Sequence, residues 1–258
     1  MSNALQESPT APAPAPLPLF YKNPQLVSAS VHGDWRLKPG DFSFAKDAIA
    51  VPIVVGEFTA TLRNFPILFT SGGAEIGPIA LLGLDASNLF VDDGKWTDAA
   101  YVPAYLRRYP FGFIAHPDGF ALGIDAASER IVQSGEEGAR LFDNGEPSQL
   151  TKQALQFCEA YRAESAATRE FSQALKNKGL LIDRCADATL PNGRKLGIEG
   201  FQIVDAPKFK ALDAATIIEW HHKGWLALVH FHLASLDRFE DLVARRGARD
   251  GETNSSAS

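Results

Sequence analysis

The sequence predicts an α+β protein, and three observations carry that prediction. Residues 19–146 hold short apolar runs rich in Phe and β-branched residues, broken at short intervals by Gly, Pro and Asp, which is a β-rich pattern. Residues 147–178 then place apolar side chains at the helical period. The remainder alternates strand-like runs with helical ones, so helices gather in the C-terminal part and short strands in the N-terminal part. A hydrophobic content of 45% with 22% charged residues gives the chain enough apolar mass for a packed core.

Taken in order, candidate strands lie at 48–55, 67–70, 79–84, 89–91, 112–116, 121–124 and 141–142. Asp93-Gly94, Pro117-Asp118-Gly119 and Asn144-Gly145 supply turns between them, because Gly admits the positive φ that tight hairpins need. Pro147-Ser148 opens the long helix, with Ser148 as N-cap. Leu150, Ala154, Phe157, Cys158, Tyr161, Thr168, Phe171 and Leu175 form its apolar stripe. Lys178-Gly179 closes it with a cation in the last turn and a Gly beyond. Residues 180–184 and 198–204 read as strands around an Asn192-Gly193 turn. Asp213 caps a helix over 214–222, which Lys223-Gly224 ends. Residues 225–233 read as a strand, and Ser235 as the cap of a last helix reaching about residue 246.

The ends differ from this middle. Residues 1–18 are rich in Pro and Ala, and Pro9, Pro12, Pro14, Pro16 and Pro18 prevent a helix there, so a disordered tail is expected. Residues 247–258 are small and polar and are expected to form a second disordered tail. Residues 19–246 are then one domain, with a subdivision near 146 as the alternative. The N-terminus has neither a basic region nor an apolar stretch of signal-peptide type, which predicts a cytoplasmic protein. No apolar run is long enough to cross a bilayer as a helix. A net charge of −6 argues against a nucleic-acid or anionic-membrane binder, whose affinity rests on positive charge. Cys158 and Cys185 share no metal-ligand spacing and read as reduced thiols, and nothing in the sequence asks for a cofactor.

Several blocks, in order, resemble the SapC family of bacterial proteins. They are Tyr21-Lys22-Asn23-Pro24, His32, Val51-Pro52, Glu57-Phe58 and Phe65-Pro66-Ile67-Leu68-Phe69. Pro78-Ile79-Ala80-Leu81-Leu82-Gly83-Leu84, Asn88-Leu89-Phe90 and Trp96 follow. The most specific block runs from Tyr101-Val102-Pro103-Ala104-Tyr105 through Arg107-Arg108-Tyr109-Pro110-Phe111. Leu141-Phe142, Gly200-Phe201, Val204-Asp205 and His232-Leu233-Ala234-Ser235-Leu236 complete the resemblance. The likeness spans nearly the whole expected domain. It implies a SapC-like domain over 19–246, association with a surface layer or an envelope receptor, and a protein partner from one of them. It implies no catalytic residues. A role at the surface would need an export route other than a signal peptide. The peptide-transporter permease of the same name is a different protein, and the hydropathy of this chain excludes it.

Three groups of residues carry candidate chemistry. Tyr101, Tyr105 and Tyr109 recur every fourth residue beside Arg107 and Arg108. A helical turn between Pro103 and Pro110 would put the tyrosines on one face, giving a ledge of rings and guanidinium groups for an anion or a peptide. The competing reading is a packed loop whose arginines pair with Asp92, Asp93 or Glu57. Glu57 follows an apolar run and is either a partly buried base or a structural carboxylate held by an Arg or by backbone N–H groups. His230 and His232 would share one side of a strand at 225–233, a start for a metal site that lacks a third ligand at an adjacent spacing. Ser71-Gly72-Gly73 is a turn, because the Lys and Ser/Thr of a phosphate loop are missing. The function expected from all this is a non-catalytic binding or assembly protein, with a metal-dependent enzyme using His230 and His232 as the alternative.

Overall fold

A computed structural model describes residues 17–72, 75–116, 119–190 and 193–255. The chain begins with β1 (Pro24–Leu26), a helical turn α1 (Ala29–His32) and β2 (Arg36–Leu37). β3 (Ala50–Pro52) leads through a 3-10 turn at Val55–Glu57 into α2 (Phe58–Thr61), β4 (Ile67–Thr70) and β5 (Pro78–Leu81). A ribbon of β6 (Val91–Asp92) and β7 (Lys95–Trp96) precedes α3 (Ala104–Arg107). β8 (Phe111–His116) and β9 (Gly119–Asp125) pair as a hairpin. Short strands follow: β10 (Ile131–Val132), β11 (Ala139–Arg140), β12 (Phe142–Asp143) and β13 (Glu146–Pro147). Then come α4 (Gln149–Asn177), β14 (Leu181–Thr189), β15 (Lys195–Val204), α5 (Ala206–Lys210), α6 (Ala214–His222), α7 (Trp225–Ser235) and α8 (Arg238–Ser255). The α+β class read from the sequence is the class of the structure.

The largest sheet has the order β14-β15-β4-β5-β3, antiparallel throughout. Its middle strand is buried on both faces: Ile67, Leu68 and Phe69 are fully inaccessible, which is why that run is continuously apolar instead of alternating. Phe58, Phe69 and Trp225 gather around Phe171 of α4 in the main core. A smaller core of Leu37, Phe111, Ile124, Leu141 and Phe142 lies at the sheets β1-β9-β8 and β10-β2-β11. The long helix serves both, with Cys158 in the smaller core and Phe171 and Leu175 in the larger.

Local signals place most boundaries. The Ser148 hydroxyl accepts from Thr151 N at 3.4 Å and donates to Arg140 O at 2.7 Å, which fixes the start of α4. Gly179 stops it at φ 61°, a left-handed conformation in which a Cβ would strain the backbone. Asp213 Oδ1 accepts from Thr216 N at 2.9 Å and caps α6 as its sequence suggests. Asp93 and Gly94, at φ 44° and 74°, turn β6 into β7. The apolar run at 48–55 narrows to three paired residues, and of the 89–91 run only Val91 lies in a strand, β6. Pro117, Asp118, Asn192, Gly73 and residues 1–16 lie outside the described residues, so the expectations that rest on them do too.

Two expectations are corrected. Residues 225–233 are not a strand but most of α7. Nearly every residue there is apolar, so an alternating and a helical period fit equally well. The buried positions decide it: Trp225, Val229, His232 and Ser235 point inward at helical spacing. Ser235 is accordingly no N-cap. It is the last residue of α7, fully buried, and its Oγ accepts from Ile67 N at 2.8 Å.

The C-terminal helix also passes residue 246, running on to Ser255. Tertiary contacts hold it: Arg246 Nε donates to Asp85 at 2.9 Å, and Arg249 donates to Asn88 O at 2.9 Å and Val91 O at 2.7 Å. We expect Arg249→Ala to lower the unfolding free energy by about 2 kcal/mol, read from urea denaturation. No change in midpoint would mean that the last turns add nothing to the fold.

Candidate functional site

The Tyr101–Phe111 segment folds around one helical turn. Pro103, already in extended conformation, precedes α3, and Pro110 follows Tyr109 through a cis peptide bond. Glu57 holds the start of that turn. Its Oε1 accepts from Ala104 N at 2.6 Å and from the Tyr101 hydroxyl at 2.9 Å, and its Oε2 accepts from Val54 N at 3.0 Å. Asn64 adds a bond from Tyr101 N at 3.0 Å. Glu57 is buried, and all three of these donors converge on its two oxygens. It is the structural carboxylate of the two readings, held by backbone N–H groups and a tyrosine rather than by an arginine.

The three tyrosines do not form one open face. Tyr101 turns to Glu57, the Tyr105 hydroxyl donates to Leu19 O at 3.2 Å, and the Tyr109 hydroxyl donates to Asp125 Oδ2 at 2.9 Å. Only Tyr101 is partly exposed, while Tyr105 and Tyr109 are buried. Helical geometry covers only Ala104–Arg107, so the four-residue spacing does not extend to the outer two rings. Burial, reinforced by the adjacent charge of Glu57, pushes the Tyr101 hydroxyl up to about 12. Burial pushes Tyr109 up to about 12 as well.

The two arginines part company. Arg107 is exposed. It donates from Nε to Val102 O at 3.0 Å and from Nη2 to the Tyr101 hydroxyl at 3.1 Å, with its guanidinium 5.1 Å from the Phe157 ring centre. Arg108 is half-buried in a cage of rings, 4.1 Å from Tyr105, 4.6 Å from Tyr161 and 5.8 Å from Tyr21. Its Nε is buried without a hydrogen-bond partner. Among the described residues neither arginine pairs with Asp92, Asp93 or Glu57. Burial raises the hydroxyls of Tyr21, Tyr105 and Tyr161 and pushes the Cys158 thiol up to about 11, so the groups around Arg108 are neutral.

These residues join two hollows. A cleft of 290 Å³ is lined by Glu57, Tyr101, Arg107, Phe157 and Tyr161. Tyr161 also faces Arg108, which lines a second cavity of 330 Å³ together with Phe113. Phe113 in turn lies beneath Arg162, whose guanidinium is 5.7 Å from that ring and 5.3 Å from Phe120. Phe120 is 58% exposed. Tyr21, Phe113, Phe120, Phe157, Tyr161 and Arg162 are thus part of the site although the sequence does not single them out as such. The helical stripe signalled Phe157 and Tyr161, but only as core positions.

His230 and His232 are separated. As residues i and i+2 of a helix they point to nearly opposite sides. His232 is fully buried, with Nδ1 2.8 Å from Ile67 O and Nε2 accepting from Val204 N at 3.0 Å, while His230 stands exposed against Phe209. The shared face that a two-histidine metal site would need is absent. Among the described residues no cluster of three His, Cys, Asp or Glu side chains can hold a metal ion, and no helix is long and apolar enough to cross a membrane.

A family model described as SapC matches residues 27–242. The chain matches no curated protein and no solved structure.

Proposed function

Because the chain belongs to the SapC family over residues 27–242, we propose that it is a non-catalytic binding or assembly protein whose partner is an envelope or surface-layer protein. One observation carries this reading. Arg107 on Phe157 and Arg162 on Phe113 and exposed Phe120 form a linked arginine–aromatic band around α4. Arginine and aromatic side chains are the types enriched where proteins dock. The band is cationic on a chain of net charge −6, which favours an acidic segment of the partner. Glu57, a carboxylate lining the cleft beside Arg107, is taken up by its three donors and is not free to act as a base. The alternative, a metal-dependent enzyme on His230 and His232, loses its geometric premise in α7.

The test is capture from fractionated native cells with the tagged wild type and with Arg107→Glu, Arg162→Glu and Phe120→Asp. All three positions are exposed, so each variant should fold. The expected result is one stoichiometric envelope partner with the wild type, reduced at least about tenfold by each charge reversal. Equal capture by every variant would remove the band from the interface. Turnover of a defined small molecule by the pure protein would end the non-catalytic reading.

A further inference from the structure

The cavity beside Arg108 has a composition that the docking band does not explain. Its floor is backbone: Gly112 and Gly123 pair across the β8–β9 hairpin. A Cβ at Gly112 would stand 3.0 Å from Tyr21 Oη, and one at Gly123 would stand 2.4 Å from Ile114 Cδ1. A side chain at either position would therefore displace a wall of the cavity. Pro18, Pro24, Ile114 and Phe113 make those walls apolar, and the Tyr21 hydroxyl is spent on Phe111 O. Among the described residues Arg108 is the one charged residue lining the space. The cavity volume of 330 Å³ is at the lower end of what small-ligand sites enclose.

We propose that this cavity binds a small monoanionic ligand with an apolar body, its carboxylate on the Arg108 guanidinium and its body over the paired glycines. The charge count selects the class. A half-buried guanidinium surrounded by neutral tyrosines carries an uncompensated positive charge, and an unpaired buried charge is costly. Rings offset part of that cost through cation–π attraction, but they leave the buried Nε–H of the guanidinium without an acceptor. A carboxylate matches that planar fork in two parallel hydrogen bonds. A phosphate monoester would bring a second negative charge, and among the described residues no second cation lines the cavity to meet it. A cationic or fully polar ligand would meet Arg108 and an apolar wall. The carboxylate can come from a short fatty acid or from the C-terminus of an apolar peptide, since both offer the same head on an apolar body.

The experiment is calorimetric titration of the full chain with octanoate, octanol, octylamine, and the tripeptide Ala-Ala-Leu N-acetylated with a free or an amidated C-terminus. Two variants accompany the wild type: Arg108→Gln, which removes the charge, and Ile114→Trp, which fills the cavity from a partly exposed position. Circular dichroism and thermal melting establish that each is folded. The expected result is one saturable site per chain for octanoate or for the free-acid peptide, at least about tenfold tighter than for octanol or the amidated peptide. Saturation by octanoate alone assigns the fatty-acid source, and saturation by the peptide acid alone assigns the chain terminus. Both variants should abolish it. The proposal is overturned if neither carboxylate saturates the wild type, if octanol binds as tightly as octanoate, or if a folded Arg108→Gln or Ile114→Trp binds like the wild type. Ile114→Trp should still capture the envelope partner, so failure of the cavity and failure of the docking band are read separately.

Discussion

Between pH 6.5 and pH 4 the protein is expected to lose about 3 kcal/mol of folding stability through His232. The imidazole bridges two strands at a gap in their ladder. β15 pairs directly with β4 at Phe201↔Thr70 and Gln202↔Phe69. Continuing that register brings Val204 opposite Ile67, and there the ring of His232 spans the two, Nε2 accepting from Val204 N and Nδ1 donating to Ile67 O. Only the neutral tautomer with its proton on Nδ1 satisfies both partners. A second proton would put an N–H against the N–H of Val204. Burial is the main cause of the shift and pushes the imidazole down to about 4, although the bond to Ile67 acts in the opposite direction. The sign follows. The unfolded chain takes up a proton near 6.5 and the folded chain does not until about 4, so stability is complete above the first value and falls as pH falls towards the second. Burial lowers His32 too, which adds a smaller slope of the same sign.

His232→Phe keeps the ring volume but orphans both backbone groups. It should cost about 2–4 kcal/mol at neutral pH and leave only the shallower slope. Urea denaturation at a series of pH values, on the wild type and the variant, gives both quantities. An unchanged slope in the variant would show that His232 is not the titrating group.

Glu57→Gln is expected to destabilise the fold by about 3 kcal/mol and to loosen the Tyr101–Phe111 segment before the rest. An amide retains one oxygen, which can still accept from Tyr101 and Ala104. Its other atom becomes an NH₂ facing the N–H of Val54, two donors in a buried place. The lost carboxylate also removes a negative charge from the start of α3. Hydrogen exchange should therefore show the amides of Val54 and Ala104 opening together, ahead of the β4–β5 pair. A loss below about 1 kcal/mol with unchanged exchange at Ala104 would mean that the turn stands without Glu57.

Much of the local structure was legible. Ser148, Gly179 and Asp213 signal their helix ends through contacts within a few residues, and Asp93-Gly94 signals a hairpin in the same way. The α+β class follows from the two periodicities. The segment 225–233 was not legible, because an almost unbroken apolar run fits both a strand and a buried helix. At the site, the sequence singled out Arg107, Arg108 and Glu57 as chemistry-bearing, but not what each would meet.

The residues of this chain by themselves determined its class, most of its turns and caps, the long helix, and the chemistry-bearing block around Tyr101–Phe111. Those features depend on propensities and bonds among near neighbours, which a linear reading contains. Tertiary structure alone decided that Arg108 would lie among Tyr21, Tyr105 and Tyr161, that Glu57 would hold a turn 47 residues away, and that His232 would bridge strands 28 and 165 residues distant. Each of these depends on which distant backbone group or ring the folded chain brings within bonding distance. That is set by the packing of sheets and helices around the two cores, not by spacing along the sequence.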